Sequence, residues 1–144
     1  MRLGVGAALG DGRLLPGDVE IDDGVITALG VGNGGGSLIA APGFVDLQAN
    51  GFAGVDFQVA DGDGYRHAGK ALLASGVTAF QPTFITAPEV DLAAALAAMP
   101  AGGCGPRIIG AHLEGPFLSP QRLGAHDAEG CRAPDLALLR RLLD

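Results

Sequence analysis

The sequence predicts an α/β fold in which short antiparallel strands come first and parallel βα units follow. Up to about residue 41, apolar strands are separated by turn residues such as Asp11-Gly12 and Asp22-Asp23-Gly24, a pattern typical of hairpins. After Pro42-Gly43 the pattern changes to apolar strands that alternate with Ala- and Leu-rich helices. Such alternation favours a right-handed parallel arrangement. We therefore expect two domains, 1–41 and 42–144, the second made of three βα units.

The first domain is expected to contain five short strands that pair in an antiparallel manner. A glycine-rich loop, Gly30–Gly36, precedes the last of them. No helical pattern follows these glycines, so the loop does not match a phosphate-binding fingerprint. The predicted strands are Arg2–Leu9, Arg13–Leu15, Asp18–Ile21, Gly24–Leu29 and Ser37–Ala40.

The second domain is expected to contain three strands, each followed by a helix. Ser75-Gly76 closes the first helix, since glycine is a favoured helix stop, and the other two helices carry proline in their first turn. Pro82 is expected to end the second strand. The predicted strands are Phe44–Gln48, Val77–Gln81 and Arg107–Glu114, and the predicted helices are Tyr65–Ala74, Pro88–Met99 and Pro134–Leu143.

The number of predicted strands is small for a closed barrel. A (β/α)₈ barrel typically takes about 250 residues, and three parallel strands leave a bare sheet edge. We therefore expect the sequence to be the N-terminal part of a larger protein. A small, complete open-sheet domain is the alternative.

Composition excludes several classes of protein. The 144 residues are 48% hydrophobic and carry a net charge of −7. This acidity argues against nucleic acid or an anionic membrane as a partner, and no apolar run approaches the roughly 18 residues of a membrane span. Cys104 and Cys131 are too few for a disulfide framework or a cysteine-type zinc site. A reducing cytoplasm is therefore the expected compartment.

The segment from Gly110 to Asp127 carries most of the chemical information. His112 and Glu114 are two residues apart near the carboxyl end of a predicted strand, so their side chains would leave the same face. Enzymes of α/β architecture keep metal ligands and general bases at such strand ends. His126 returns on a loop about ten residues later. The alternative is a core glutamate with a salt-bridge partner and two ordinary histidines.

Three segments together carry a resemblance to a known family. The first is PGFVDLQANG from Pro42, the second is GVTAFQPTFIT from Gly76, and the third is HLEGPF from His112 followed by Gly124-Ala125-His126 and Arg132-Ala133-Pro134-Asp135. They resemble the N-acetylglucosamine-6-phosphate deacetylase branch of the amidohydrolase superfamily, and the resemblance covers nearly the whole chain in order. It implies the N-terminal part of a (β/α)₈ TIM-like metal-dependent hydrolase barrel, preceded by part of a small β-sandwich.

The resemblance also implies roles for individual residues. Glu114 matches the carboxylate that ligates the catalytic metal, and Ala125 and His126 match a pair that contacts substrate. Gln48 and Asn50 stand where many amidohydrolases carry His-x-His, the pair that binds a second metal. Neutral amides are poor ligands for zinc, so these two positions would be vestigial in a single-metal enzyme. The alternative is that they are polar strand-end residues with local hydrogen bonds.

An activity follows from the same resemblance. One divalent metal, such as Zn²⁺, Fe²⁺ or Co²⁺, would activate water to deacetylate N-acetylglucosamine 6-phosphate, a phosphorylated amino sugar. No catalytic residue is expected within this chain, since the proton-transferring aspartate would lie downstream. The complete enzyme would be a homodimer, and the 144-residue chain alone would be inactive. The alternatives are another amidohydrolase that acts on a cyclic amide, or a non-catalytic remnant or assembly module.

Overall fold

The structure is a computed structural model that describes residues 1–143. Two compact units divide the chain, one covering Met1–Gly43 and the other beginning at Phe44. The first unit is built of β-strands, and the second combines strands with three helices. The chain is therefore a mixed α/β protein, as the sequence predicts. No helix in the described part of the chain is both long and apolar enough to cross a membrane.

The first unit contains a three-stranded and a two-stranded sheet. The three-stranded sheet has the order β2-β1-β5, and β3 pairs with β4. Val5, Ala8 and Val19 form a small buried core. The strands are β1 (Ala7–Gly10), β2 (Arg13–Pro16), β3 (Asp18–Asp22), β4 (Val25–Val31) and β5 (Ile39–Ala40).

Asp18 is a buried carboxylate in this unit. Its Oδ1 accepts hydrogen bonds from the backbone N–H groups of Gly4 at 3.0 Å, Val5 at 3.1 Å and Val19 at 2.8 Å. Burial raises the pKa of Asp18, but these backbone donors more than compensate and hold the pKa below its ordinary value. The carboxylate thus stays ionised and ties the start of the chain to β3.

Two expectations for the first unit are wrong. β5 pairs with β1 in a parallel manner, although all strands of this region were expected to be antiparallel. The long loop before β5 allows the chain to cross over and return in the same direction. The predicted strand Arg2–Leu9 is regular only from Ala7, and Arg2 forms an isolated bridge with Glu20.

The second unit is built around one parallel sheet whose middle strand is β9. β6 pairs with β9 on one side, while β10 and β11 pair with it on the other, all in a parallel manner. The predicted parallel pairing is therefore confirmed. The strands are β6 (Phe44–Ala49), β7 (Gly51–Phe52), β8 (Val55–Asp56), β9 (Val77–Ile85), β10 (Arg107–Ile108) and β11 (His112–Glu114), and the helices are α1 (Gly62–Ala74), α2 (Glu89–Ala97) and α3 (Leu136–Leu143).

β9 continues through Pro82 to Ile85, so the prediction that Pro82 ends this strand is wrong. Proline lacks the N–H that a ladder hydrogen bond requires. The sheet accommodates this by interrupting the neighbouring strand. β10 pairs with Ala79 and Phe80, β11 pairs with β9 only from Thr83 onward, and the predicted single strand Arg107–Glu114 is therefore two strands.

The helices cover the sheet through an aromatic core. Phe57, Tyr65, Phe80 and Phe84 are all fully buried. The rings of Phe57 and Tyr65 stack with centroids 5.1 Å apart, and Phe57 meets Phe80 at 5.4 Å. Since Phe80 and Phe84 lie on β9, this core holds the central strand in place and with it the polar groups at its carboxyl end.

Candidate active site

All five site residues singled out in the sequence line one open cavity. Gln48 and Asn50 come from the end of β6, and Glu114 ends β11, while Ala125 and His126 come from the loop that follows. The cavity has a volume of about 540 Å³. Carboxyl ends of parallel strands meet at one edge of a sheet, which is why residues so far apart in sequence gather there.

Glu114 is the centre of the polar contacts in this cavity. Its Oε2 accepts a hydrogen bond from Gln48 Nε2 at 3.1 Å, and its Oε1 lies 3.3 Å from His126 Nε2. The pKa of Glu114 is lowered, first because His126 hydrogen-bonds its carboxylate, with smaller contributions from the Asn50 and Gln48 amides, while partial burial opposes the shift. Glu114 is therefore an ionised, anchored carboxylate facing an open cavity.

Gln48 and Asn50 both hydrogen-bond Glu114 through their side chains. Both amides stabilise the ionised form of Glu114. The side-chain N–H₂ of Gln48 points at the carboxylate as a donor. The alternative expectation for these two residues was local hydrogen bonds. In the structure their shared partner, Glu114, lies on a different strand.

His126 is held on both sides of its ring. Its Nδ1 lies 2.9 Å from Thr86 Oγ1 and accepts from the Thr86 backbone N–H at 3.4 Å. Its Nε2 faces Glu114, and the side chain is only 9% exposed. Thr86 and the carboxylate thus fix the orientation of the imidazole, although it lies on a loop without regular structure.

The other two histidines take no part in this cluster. His112 Nδ1 lies 3.1 Å from the Leu47 carbonyl oxygen. His67 is exposed on α1. Neither imidazole lines the cavity around Glu114.

Sequence reasoning missed two residues of the site, Thr86 and Arg122. Thr86 is buried behind His126 and directly follows β9. Arg122 lines the cavity and makes no ion pair within residues 1–143. Its position within the GPFLSPQRLGAHD segment was the only available signal.

The donor set fits one part of a metal site. Glu114 offers carboxylate oxygens, the ligand type that divalent metals accept. Catalytic zinc normally takes three protein ligands, and no group of three His, Cys, Asp or Glu residues within 1–143 is arranged to hold a metal. Glu114 therefore fits as a single ligand, and the remaining ligands would have to come from outside the described residues.

The loop also lines a second cavity of about 550 Å³, which is mainly apolar. It shares Leu118 and Leu123 with the cavity around Glu114. It contains no carboxylate or imidazole. The chemistry that the structure supports therefore belongs to the cavity around Glu114.

Comparison with known proteins gives a consistent answer. Mouse N-acetylglucosamine-6-phosphate deacetylase is 43% identical over 97 residues, which cover 63% of this chain and 24% of the relative. The crystal structure of N-acetyl-D-glucosamine-6-phosphate deacetylase from Mycobacterium smegmatis superposes with a TM-score of 0.86 at 32% identity, covering 97% of this chain and 42% of that chain. This chain is homologous to N-acetylglucosamine-6-phosphate deacetylases. The resemblance noted in the sequence is thereby confirmed.

Two further matches bear on the ligand. A mutant of the Mycobacterium smegmatis enzyme, in complex with N-acetyl-D-glucosamine-6-phosphate, superposes with a TM-score of 0.84 at 33% identity and covers 97% of this chain and 39% of that chain. An N-acetylgalactosamine-6-phosphate deacetylase from Escherichia coli O157:H7 is 33% identical over 134 residues, 87% of this chain and 35% of the relative. No protein-family model matches the chain. The chain spans about a quarter to a third of the length of these curated relatives.

Proposed function

We propose that the protein carrying this chain deacetylates N-acetylglucosamine 6-phosphate to acetate and glucosamine 6-phosphate. The observation that carries this proposal is the ionised Glu114 at a parallel strand end, bonded to His126 and Gln48 in an open cavity. The names of its homologues support the same reaction. We also propose that the βα units from Phe44 belong to a (β/α)₈ barrel, and that strands 1–41 belong to a small β-sandwich.

Glu114 would hold one divalent metal, Zn²⁺, Fe²⁺ or Co²⁺, together with ligands outside this chain. When bound, such a metal supplies an activated water and polarises the acetamide carbonyl. The hydrogen bonds from His126 and Gln48 keep Glu114 ionised and oriented toward the cavity. Fixing a ligand in this way raises metal affinity, because the carboxylate does not have to be ordered on binding.

The substrate would be held by the loop side of the cavity. Ala125 and His126 would contact the sugar, as the resemblance implies. Arg122 would contact the phosphate, because it is a cation on the cavity wall without an ion-pair partner among the described residues. Guanidinium groups bind phosphate oxygens through paired N–H donors. In an acidic protein, such a local cation is what attracts an anionic substrate.

Two further properties belong to the same proposal. The proposed compartment is the cytoplasm, since both cysteines are free thiols and free thiols persist in reducing compartments. The proposed assembly is a homodimer, as the family resemblance implies. The sugar could also be the C4 epimer, because the Escherichia coli relative is named for N-acetylgalactosamine 6-phosphate.

Glu114→Gln tests the proposal in the protein that carries this chain. The variant should lose bound metal and turnover together, because a neutral amide is a poor ligand for a hard cation. Glu129→Gln is the matched control, since Glu129 is exposed and lies outside the cavity lining. Metal is measured by elemental analysis, and acetate release is measured with the glucosamine and galactosamine substrates. Normal metal content and activity in Glu114→Gln would refute the assignment.

A further inference from the structure

Thr86 is the residue outside the predicted site that makes the closest contacts with it. It follows directly after β9 and is 8% exposed. Its hydroxyl oxygen and its backbone N–H both lie within hydrogen-bond distance of the same nitrogen, Nδ1 of His126. The backbone N–H has a fixed direction, and it constrains where the imidazole can carry its proton.

The backbone contact determines the protonation of Nδ1. A backbone N–H can only donate, so Nδ1 must present its lone pair to the Thr86 N–H at 3.4 Å. The Thr86 hydroxyl at 2.9 Å then also acts as a donor. A proton on Nδ1 would face the backbone N–H and repel it. Nδ1 is therefore the acceptor nitrogen of the ring.

The opposite side of the ring supports the same assignment. His126 Nε2 lies 3.3 Å from Glu114 Oε1. An ionised carboxylate has no proton to donate, so Nε2 must carry the hydrogen of this bond. The two contacts agree on an Nε2 that carries a hydrogen and an Nδ1 that accepts.

We propose that Thr86 is a positioning residue that fixes His126 in the Nε2–H tautomer and so directs one N–H at Glu114. Neither ring nitrogen then has a free lone pair. His126 is consequently a hydrogen-bond donor in the cavity and does not ligate a metal. The tautomer follows from the contacts alone, whereas its value for turnover rests on the proposed function.

The backbone around Thr86 is shaped to hold it there. Gly115 has a φ of +96°, and a Cβ at this position would overlap Thr86 Oγ1. A Cβ at Gly130 would lie 2.8 Å from Thr86 Cγ2, closer than real Cβ contacts come. Two glycines thus leave the space that the threonine occupies, one directly after Glu114 and one on the following loop.

The experiment is imidazole ¹⁵N NMR of the metal-free protein that carries this chain. The wild-type His126 spectrum should show a pyridine-type Nδ1 and a pyrrole-type Nε2. Thr86→Val removes the hydroxyl at nearly constant volume but keeps the backbone N–H, so the tautomer should persist while the Nδ1 resonance shifts because Nδ1 loses one of its two donors. It should also lower turnover up to about tenfold, the effect expected of one hydrogen bond. Thr86→Ser should restore both properties.

Thr83→Val is the matched control. Thr83 lies on β9, three residues before Thr86, and its buried hydroxyl has no hydrogen-bond partner among the described residues, so the His126 spectrum should not change. A protonated Nδ1 in the wild type, or a Thr86→Val spectrum identical to wild type, would overturn the proposal. The spectra are recorded without substrate. A protein with the expected tautomer and no deacetylase activity would therefore contradict only the proposed function.

Discussion

Replacing Tyr65 with phenylalanine should stabilise the protein. Tyr65 lies on α1 with no exposed surface, and its hydroxyl has no hydrogen-bond partner among the described residues. Burying a polar group without a partner costs about 1–3 kcal/mol. Tyr65→Phe removes that cost and keeps the stack on Phe57, whose centroid is 5.1 Å away. We expect a gain of about 1 kcal/mol in the free energy of unfolding, after allowance for relaxation around the site.

Chemical denaturation of both proteins at neutral pH measures this difference. Tyr65→Leu is the contrasting variant, because it removes the ring as well as the hydroxyl and should cost roughly 2–5 kcal/mol. A loss of more than about 0.5 kcal/mol in Tyr65→Phe would show that the hydroxyl makes a favourable bond. The assumption of an unpaired group would then be wrong.

The same hydroxyl predicts a pH dependence. Burial, with a smaller contribution from Cys104, raises the pKa of Tyr65 from 10.0 to about 12. Below pH 10 the phenol is protonated in both states, so its contribution to stability is fully present. As the pH rises from 10 toward 12, only the unfolded chain loses this proton, and stability falls. Wild type should therefore lose stability relative to Tyr65→Phe across this window, and parallel pH profiles would contradict the assignment.

Three other substitutions test the site. His126→Asn should retain metal and lose kcat/KM by about 10²-fold, as for one lost positioned donor; loss of metal would move His126 into the ligand set. Arg122→Gln should weaken binding of the phosphorylated substrate by about ten- to a hundredfold, the range for a hydrogen bond to a charged group, and leave binding of unphosphorylated N-acetylglucosamine unchanged. Equal losses of affinity for both sugars would exclude the phosphate contact. Gly115→Ala should destabilise the protein more than Gly54→Ala. Both residues have a positive φ, but only at Gly115 would the added Cβ also clash with Thr86. Equal unfolding midpoints for the two variants would refute the steric argument.

The positions of the site residues on the strands could be predicted better than their detailed contacts. Gln48, Asn50 and Glu114 lie at or just after predicted strand ends, and their meeting at one edge follows from the parallel pairing of those strands. The contact between His126 and Thr86 joins residues 40 positions apart. It depends on the path of a loop without helix or strand, and no local pattern specifies such a path.

The errors in the fold have similar physical causes. Pro82 was expected to end β9, since proline cannot donate to a ladder. The sheet instead leaves a gap in the neighbouring strand, a tertiary adjustment that is invisible in the local sequence. The two-residue strands β7 and β8 went unpredicted because segments this short show no alternation that a strand pattern could detect.

The pairing of β9 on both of its edges has a consequence for how the cavity moves. Amide protons of a doubly paired strand exchange with solvent only when the sheet opens, so β9 should be among the slowest-exchanging segments of the unit. Glu114 and Thr86 are attached to this slow region, whereas residues 117–133 contain no helix or strand. The wall of the cavity next to β9 is therefore expected to be rigid, and the wall formed by the loop is the part that can adapt to a bound ligand.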